Sequence, residues 1–174
     1  MKNIVLVGFM GVGKTTIGKR VSAKLKIDFY DTDEAIFRCE KIPVHELLAK
    51  KGAKYFEGAQ RFAVSTLAQN EGVLISTGGD TVLDPFNLEA LKKNGILFWL
   101  DASPETIYQN TRYSIHKRPG LKTASLDDIS RMIEERKPFY EQADVRISVD
   151  HDSIDAAVKT IVEEYTSRLT NEKG

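Results

Sequence analysis

The sequence predicts an α/β fold of three layers, in which a five-stranded parallel sheet lies between two layers of helices. Short apolar runs rich in Val, Ile and Leu alternate with longer stretches of helical periodicity along nearly the whole chain. The connections between these segments are short, as in doubly wound sheets. The 174 residues are enough for one domain with a sizeable core, so we expect a single domain over residues 1–174.

Five strands are predicted in chain order. The runs 4–7 and 96–100 are continuously apolar, and the predicted strand 73–77 is apolar over its first three residues, as expected of parallel strands that helices cover on both faces. Residues 27–30 predict a short strand that leads into two carboxylates. The segment 145–149 alternates in polarity, so we expect this strand to be exposed on one side.

Eight helices are predicted from helical periodicity and from residues that start or stop helices. Pro43 fits the first turn of a helix, where its missing N–H group costs nothing, and Gly52 fits the end of that helix. Asp152 or Ser153 is expected to cap the last helix, whose apolar stripe indicates core packing. The helices are predicted at 16–25, 34–41, 43–52, 53–69, 84–93, 104–112, 126–140 and from 154 onward.

The composition excludes several classes of protein. The 25 basic and 25 acidic residues balance, which argues against a general nucleic-acid binder. The single Cys39 cannot form an internal disulfide, as is typical of a reducing compartment. No apolar run reaches membrane-spanning length, and the first strand begins without a signal-peptide layout. We therefore expect a soluble cytoplasmic protein.

The segment 8–15, Gly-Phe-Met-Gly-Val-Gly-Lys-Thr, matches the phosphate-binding P-loop pattern between a predicted strand and a predicted helix. Its glycines let backbone N–H groups approach phosphate oxygens, and the helix N-terminus adds a favourable dipole. Lys14 is expected to bring positive charge to the transferring phosphoryl group and Thr15 to bind Mg²⁺. The residues predicted to bind ATP here are Gly11, Val12, Gly13, Lys14, Thr15 and Thr16.

Carboxylates and glycines follow the second and third predicted strands. Asp31 and Asp33 stand at the carboxyl end of one strand, the side on which open α/β sheets bind ligands. Both are site candidates, although Asp is also a favoured helix N-cap. Gly78 and Gly79 follow the next strand and fit either close approach to a ligand or an ordinary tight turn.

A lid is predicted over about residues 113–125, where periodicity stops and basic, proline and glycine residues concentrate. In a phosphoryl-transfer enzyme such a segment carries an arginine onto the phosphates and excludes water. In another protein it would be a solvated basic loop. Arg118 is the arginine that this interpretation selects.

With these residues assembled, the chain resembles the shikimate kinases from Ile4 to about Tyr165. The resemblance is carried by the P-loop, Asp31-Thr32-Asp33, Gly78-Gly79, Arg118-Pro119 and the segment 134–140. It implies an ATP- and Mg²⁺-dependent kinase of aromatic amino-acid biosynthesis that acts as a monomer. On the nucleotide side it implies that Thr15 and Asp31 hold Mg²⁺, that Arg112 lies against adenine and that Arg118 reaches the phosphates. On the acceptor side it implies that Asp33 contacts the attacking hydroxyl and that Gly79 and Arg136 bind shikimate.

Three positions depart from this family pattern. Glu57 stands where the family has an arginine that grips the shikimate carboxylate, Asp80 replaces a third glycine, and Gln60 replaces an acidic residue. A guanidinium binds a carboxylate bidentately whereas a glutamate repels it, so a loss of roughly tenfold to thousandfold in shikimate affinity is expected.

Arg61 lies one helical turn after Glu57 and is the residue that we expect to offset this departure. It would either neutralise Glu57 as an i,i+4 pair or reach into the acceptor site itself. Two alternatives to shikimate phosphorylation therefore stay open. One is a related kinase for another small hydroxyl compound, and the other is a nucleotide-binding regulatory protein without transfer activity.

Overall fold

The structure is a computed structural model that describes residues 1–112, 121, 123–150 and 154–171. These residues contain five strands and eight α-helices. The strands are β1 (Asn3–Val7), β2 (Phe29–Asp31), β3 (Leu74–Ser76), β4 (Gly95–Asp101) and β5 (Val145–Ser148). The helices are α1 (Lys14–Leu25), α2 (Thr32–Glu40), α3 (Val44–Lys51), α4 (Ala53–Ala68), α5 (Pro85–Lys93), α6 (Pro104–Arg112), α7 (Leu126–Tyr140) and α8 (Ile154–Asn171).

All five strands form one parallel sheet in the order β2-β3-β1-β4-β5. β1 lies at the centre, with Leu6 in register with Ser76 on one side and Phe98 on the other. The carboxyl ends of β1, β2 and β3 therefore meet at one edge of the sheet. The predicted five-stranded parallel sheet is confirmed.

Helices cover both faces of this sheet. A Cβ on Gly18, a residue of α1, would lie 3.2 Å from the side chain of Leu6. A Cβ on Gly95 would lie 2.8 Å from the side chain of Val5, the residue before Leu6, and 2.5 Å from the carbonyl oxygen of Leu91 in α5. Because successive residues of a strand point to opposite faces, α1 and α5 lie on opposite sides of the sheet. The three-layer architecture follows from this arrangement.

The hydrophobic core is built around the central strands. Every residue of β1 is buried, and so are the residues of β4 from Gly95 to Leu100. A smaller cluster joins α2, α3 and α4 through Ile36, Leu47 and Ala63. This second cluster fixes the helices that follow β2, next to the edge where the candidate site lies.

The observed boundaries differ from the predicted ones by a few residues. α1 begins at Lys14 rather than at residue 16, because Gly13 takes a left-handed conformation (φ 105°) that turns the loop directly into the helix. Gly95 begins β4, whereas Asn94 ends the preceding helix. The expected cap of α8 at Asp152 or Ser153 lies outside the described residues. In the part of the chain that the structure describes, no helix is both long and apolar enough to cross a membrane.

Candidate active site

The loop between β1 and α1 holds a buried lysine. The Lys14 side chain donates hydrogen bonds from Nζ to the carbonyl oxygens of Gly8 (2.6 Å) and Phe9 (2.9 Å). Gly13 precedes α1 and has no side chain to cap it, and a helix N-terminus is a favourable place for an anion. An ammonium group beside such a helix end suits a bound phosphate. The loop therefore fits the triphosphate of a nucleotide.

The Asp31 carboxylate caps α2 with one oxygen and faces Thr15 with the other, while its role as a site residue stays a prediction. Its Oδ1 accepts hydrogen bonds from the N–H groups of Asp33 (2.9 Å) and Glu34 (3.2 Å) and so caps α2. Its Oδ2 lies 3.5 Å from the hydroxyl of Thr15, which donates to it across the crevice. A hydroxyl and a carboxylate are oxygen ligands of the kind that Mg²⁺ prefers, with water and phosphate completing the shell. The pair fits a magnesium ion.

The segments after β1, β2 and β3 converge at the sheet edge. Thr32 accepts a hydrogen bond from the N–H group of Gly78 (2.9 Å), and a Cβ on Gly78 would lie 2.8 Å from Oδ1 of Asp33. A Cβ on Gly79 would lie 2.6 Å from Cγ of Met10 in the P-loop. Glycine at both positions therefore permits this close packing, and the expected approach of a ligand stays a prediction. Asp33 comes to lie beside the loop that follows β3.

Arg136 reaches the same loop from α7. Its Nε donates to Oδ1 of Asp80 (2.8 Å), and its Nη1 donates to the carbonyl oxygen of Met132 (3.1 Å). The guanidinium also lies 5.7 Å from the ring centroid of Phe9. No periodicity or motif in the sequence indicated the contact between Asp80 and Arg136, because the two residues are far apart in the chain.

Arg61 joins Glu57 to the start of α5. Its guanidinium lies 2.8 Å from the Glu57 carboxylate and makes two hydrogen bonds with Asp84, at 2.6 and 3.2 Å. Of the two placements expected for Arg61, the structure shows the i,i+4 pair. The hydrogen bond from Arg61, with that from the N–H group of Phe86, lowers the pKa of Asp84 below its ordinary value.

A buried polar network that the sequence did not reveal supports the loop after β3. Gln60 donates to the hydroxyl of Thr81 (3.3 Å) and accepts from Asn87 (3.2 Å). In the sequence this residue was noted only as a departure from the family pattern. Asn87 also donates to the carbonyl oxygen of Thr81 (3.0 Å). All three residues are buried. The network ties α4 and α5 to the residue that follows Asp80.

Arg112, another predicted nucleotide contact, is the last residue of α6. Asn110 donates to the carbonyl oxygen of Gly11 (3.0 Å), which brings the end of α6 against the P-loop. The guanidinium of Arg112 lies 4.0 Å from the ring centroid of Tyr108. Within the P-loop Val12 is buried, and Thr16 at the start of α1 is exposed. Arg118 and residues 113–120 and 122 of the predicted lid lie outside the described residues.

Comparison with known proteins gives one consistent result. A family model described as shikimate kinase matches residues 10–168. A shikimate kinase of Caldicellulosiruptor saccharolyticus is 42% identical over 93% of this chain and 94% of its own. A shikimate kinase of Caldanaerobacter subterraneus is 38% identical over 95% of this chain and 96% of its own.

Solved structures agree with the sequence relatives. The shikimate kinase of Bacteroides thetaiotaomicron is similar with a TM-score of 0.84 and 30% identity, covering 97% of this chain and 98% of that one. The shikimate kinase of Acinetobacter baumannii in complex with shikimate is similar with a TM-score of 0.88 and 27% identity. That match covers 97% of this chain and 94% of the other.

Proposed function

The chain belongs to the shikimate kinase family, and we propose that it transfers the γ-phosphoryl group of ATP to the 3-hydroxyl of shikimate in a reaction that uses Mg²⁺. The observation that supports this most directly is the contact between Met10 and Gly79. It joins the phosphate-binding loop to the loop that carries Gly79, one of the proposed acceptor residues. A donor site at the P-loop and an acceptor site beside Gly79 would be adjacent, as transfer between two bound molecules requires.

Phosphoryl transfer needs positioning and charge neutralisation more than covalent catalysis, and the residues around the P-loop fit this need. Lys14 would move from the loop carbonyls to the phosphate oxygens. Thr15 and Asp31 would hold Mg²⁺, which neutralises charge on the phosphates. Asp33 would orient the attacking hydroxyl or accept its proton.

The acceptor side is formed by the loop after β3 and by α7. Arg136 would pair with the carboxylate of shikimate, and Gly79 would contact the acceptor through its backbone. Glu57 takes the place of a family arginine, and its pair with Arg61 reduces its repulsion of that carboxylate. Arg112 would lie against adenine, and Arg118 would bring its charge to the phosphates when the lid closes.

Several wider properties belong to the same proposal. We expect residues 1–174 to form one domain with a lid at about 113–125, acting as a monomer in the cytoplasm. Its partners would be small molecules, and neither nucleic acid nor a membrane is expected to bind it. The product, shikimate 3-phosphate, would enter aromatic amino-acid biosynthesis. Gel filtration at several concentrations tests the monomer, and an electrophoretic shift assay with DNA and RNA tests nucleic-acid binding.

The reaction is tested by release of ADP in the presence of ATP, Mg²⁺ and shikimate, with the product identified by mass spectrometry. We expect saturable turnover by the wild-type protein. Lys14→Ala should lower kcat by about 10²–10³, because its charge acts on the transferring group. Equal activity of this variant would indicate a contaminating kinase.

Glu57→Arg restores the family residue and is measured in the same assay beside the wild-type protein. We expect a lower KM for shikimate with little change in the KM for ATP, because the new guanidinium would act on the acceptor alone. Turnover by this variant only, or by neither protein, would show that shikimate is not the natural acceptor. Neutral polyols and amino alcohols would then be screened in the same assay.

A further inference from the structure

We propose that Asp80 sets the affinity for acceptor carboxylates by competing for Arg136. The inference rests on the proposed function, since it concerns the residue that would hold the carboxylate of shikimate. The Asp80 carboxylate already lies 2.8 Å from Nε of Arg136 in the protein alone. An incoming carboxylate therefore meets a guanidinium that is partly neutralised.

The competition follows from the geometry of the guanidinium. A carboxylate binds arginine most strongly when its two oxygens accept two parallel N–H bonds along one edge of the fork. The contact from Asp80 to Nε occupies the edge that Nε shares with its neighbouring Nη. The contact of Nη1 with the Met132 carbonyl also engages the other end of the fork. A second carboxylate must displace Asp80 to use the Nε edge.

Hydrogen bonds fix the residues on both sides of Asp80. Tyr140 lies one helical turn after Arg136 and donates from its hydroxyl to the carbonyl oxygen of Gly79 (2.6 Å), the residue before Asp80. On the other side of Asp80, Thr81 is buried and hydrogen-bonded to Gln60 and Asn87. The position of Asp80 beside Arg136 is therefore set by the conformation of this loop.

The exposure of the two side chains indicates competition rather than permanent blockage. The Arg136 side chain is 14% exposed, whereas that of Asp80 is 53% exposed. Ion pairs open to solvent are weak and exchange readily, so an acceptor can displace this one. Because Arg136 is mostly buried, losing this pair should change an equilibrium by roughly fivefold, the upper end for solvent-exposed pairs. We therefore expect Asp80 to raise the KM for shikimate by about that factor.

The test compares wild-type protein with Asp80→Ala and Asp80→Asn, which remove the charge. Asp80 has ordinary backbone angles (φ −104°, ψ −3°), so either residue fits the loop. KM and kcat are measured for shikimate and ATP, and affinity is measured by calorimetry with shikimate and its uncharged methyl ester. Asp155→Asn is the matched control, because it removes a 2.8 Å ion pair with Arg20 outside the site.

We expect both Asp80 variants to lower the KM and dissociation constant for shikimate by about fivefold. The kcat, the KM for ATP and the affinity for the methyl ester should change less than about twofold, as should every constant of Asp155→Asn. Activity gained only in the Asp80 variants would also support the inference.

Other outcomes overturn the inference. An unchanged KM for shikimate, with normal turnover, would mean that Asp80 does not compete, and would leave the proposed function intact. A raised KM would show that Asp80 instead aligns Arg136 for the acceptor. If shikimate neither binds to nor reacts with any of these proteins, the proposed function and this inference both fail.

Discussion

Gly8 is the P-loop position at which adding one methyl group has the most direct consequence. Its backbone has φ +145°, and a Cβ there would lie 2.5 Å from the carbonyl oxygen of Leu100. A relaxed carbon–oxygen contact is about 3.3 Å or longer, so Gly8→Ala requires a shift of about 0.8 Å. Leu100 cannot yield easily, because it is buried and paired with Ile147 in the sheet.

The expected loss of stability has two parts. Overpacking a well-filled core costs about 1–3 kcal/mol, and a side chain at positive φ costs about 1–2 kcal/mol more. The total of about 2–5 kcal/mol corresponds to a decrease of roughly 5–15 °C in Tm for a domain of this size. The carbonyl of Gly8 also accepts the 2.6 Å hydrogen bond from Lys14, so the same shift displaces the ammonium group. ATP affinity should fall with stability.

Gly58→Ala is the matched control for this substitution. Gly58 lies inside α4, and a Cβ there would have no atom of the described structure within 4 Å. Alanine in a helix interior should therefore stabilise the protein by about 0.5–1 kcal/mol. Thermal unfolding and ATP calorimetry are measured for both variants. Equal Tm values, or a Gly8→Ala protein with wild-type ATP affinity, would refute the packing argument.

Three other substitutions test separate contacts. Arg61→Ala should raise the KM for shikimate several-fold because Glu57 loses its partner, and an unchanged KM would contradict this compensation. Asp84→Asn should be less stable than wild type at pH 7, since the folded state lowers the pKa of Asp84 and so gains stability above its unfolded pKa of 3.8. That difference should shrink as the pH falls below about 4 and disappear only below the lowered pKa of the folded state, so urea unfolding at pH 7 and pH 3 should show a smaller difference at pH 3. Tyr165→Phe removes the 2.6 Å hydrogen bond to the carbonyl oxygen of Lys2 and should cost about 1 kcal/mol in chemical denaturation, so an unchanged midpoint would show that this bond contributes nothing.

The sequence predicted the fold class because its signals are local. Continuous apolar runs marked the buried strands, and the P-loop pattern located the first strand, loop and helix, all of which the structure confirms. The order of the strands has no local signal. Placing β1 between β3 and β4 depends on contacts between residues that are distant in the chain, and helical or strand periodicity carries no information about them.

The same distinction explains what the sequence predicted about the site. Asp31 and Thr15 could be assigned to one edge because both follow strands of a parallel sheet. The division of the Asp31 carboxylate between a helix cap and Thr15 required coordinates, because it depends on which oxygen faces which group. The pair between Asp84 and Arg61 joins two helices and likewise has no signature in spacing.

The charge of the proposed acceptor site cannot be judged by counting its ionisable residues. Arg136, Asp80 and Glu57 together would carry a net negative charge, which is poorly suited to a carboxylate. In the structure, Glu57 pairs with Arg61, a residue that is not one of these three. Asp80 pairs with Arg136, which is one of the three. Both carboxylates are about half exposed, but only Asp80 is paired with Arg136, the arginine proposed to bind the acceptor. Replacing Asp80 should therefore improve carboxylate binding without any change at Glu57, and a requirement for both substitutions would show that the two carboxylates act on the acceptor together.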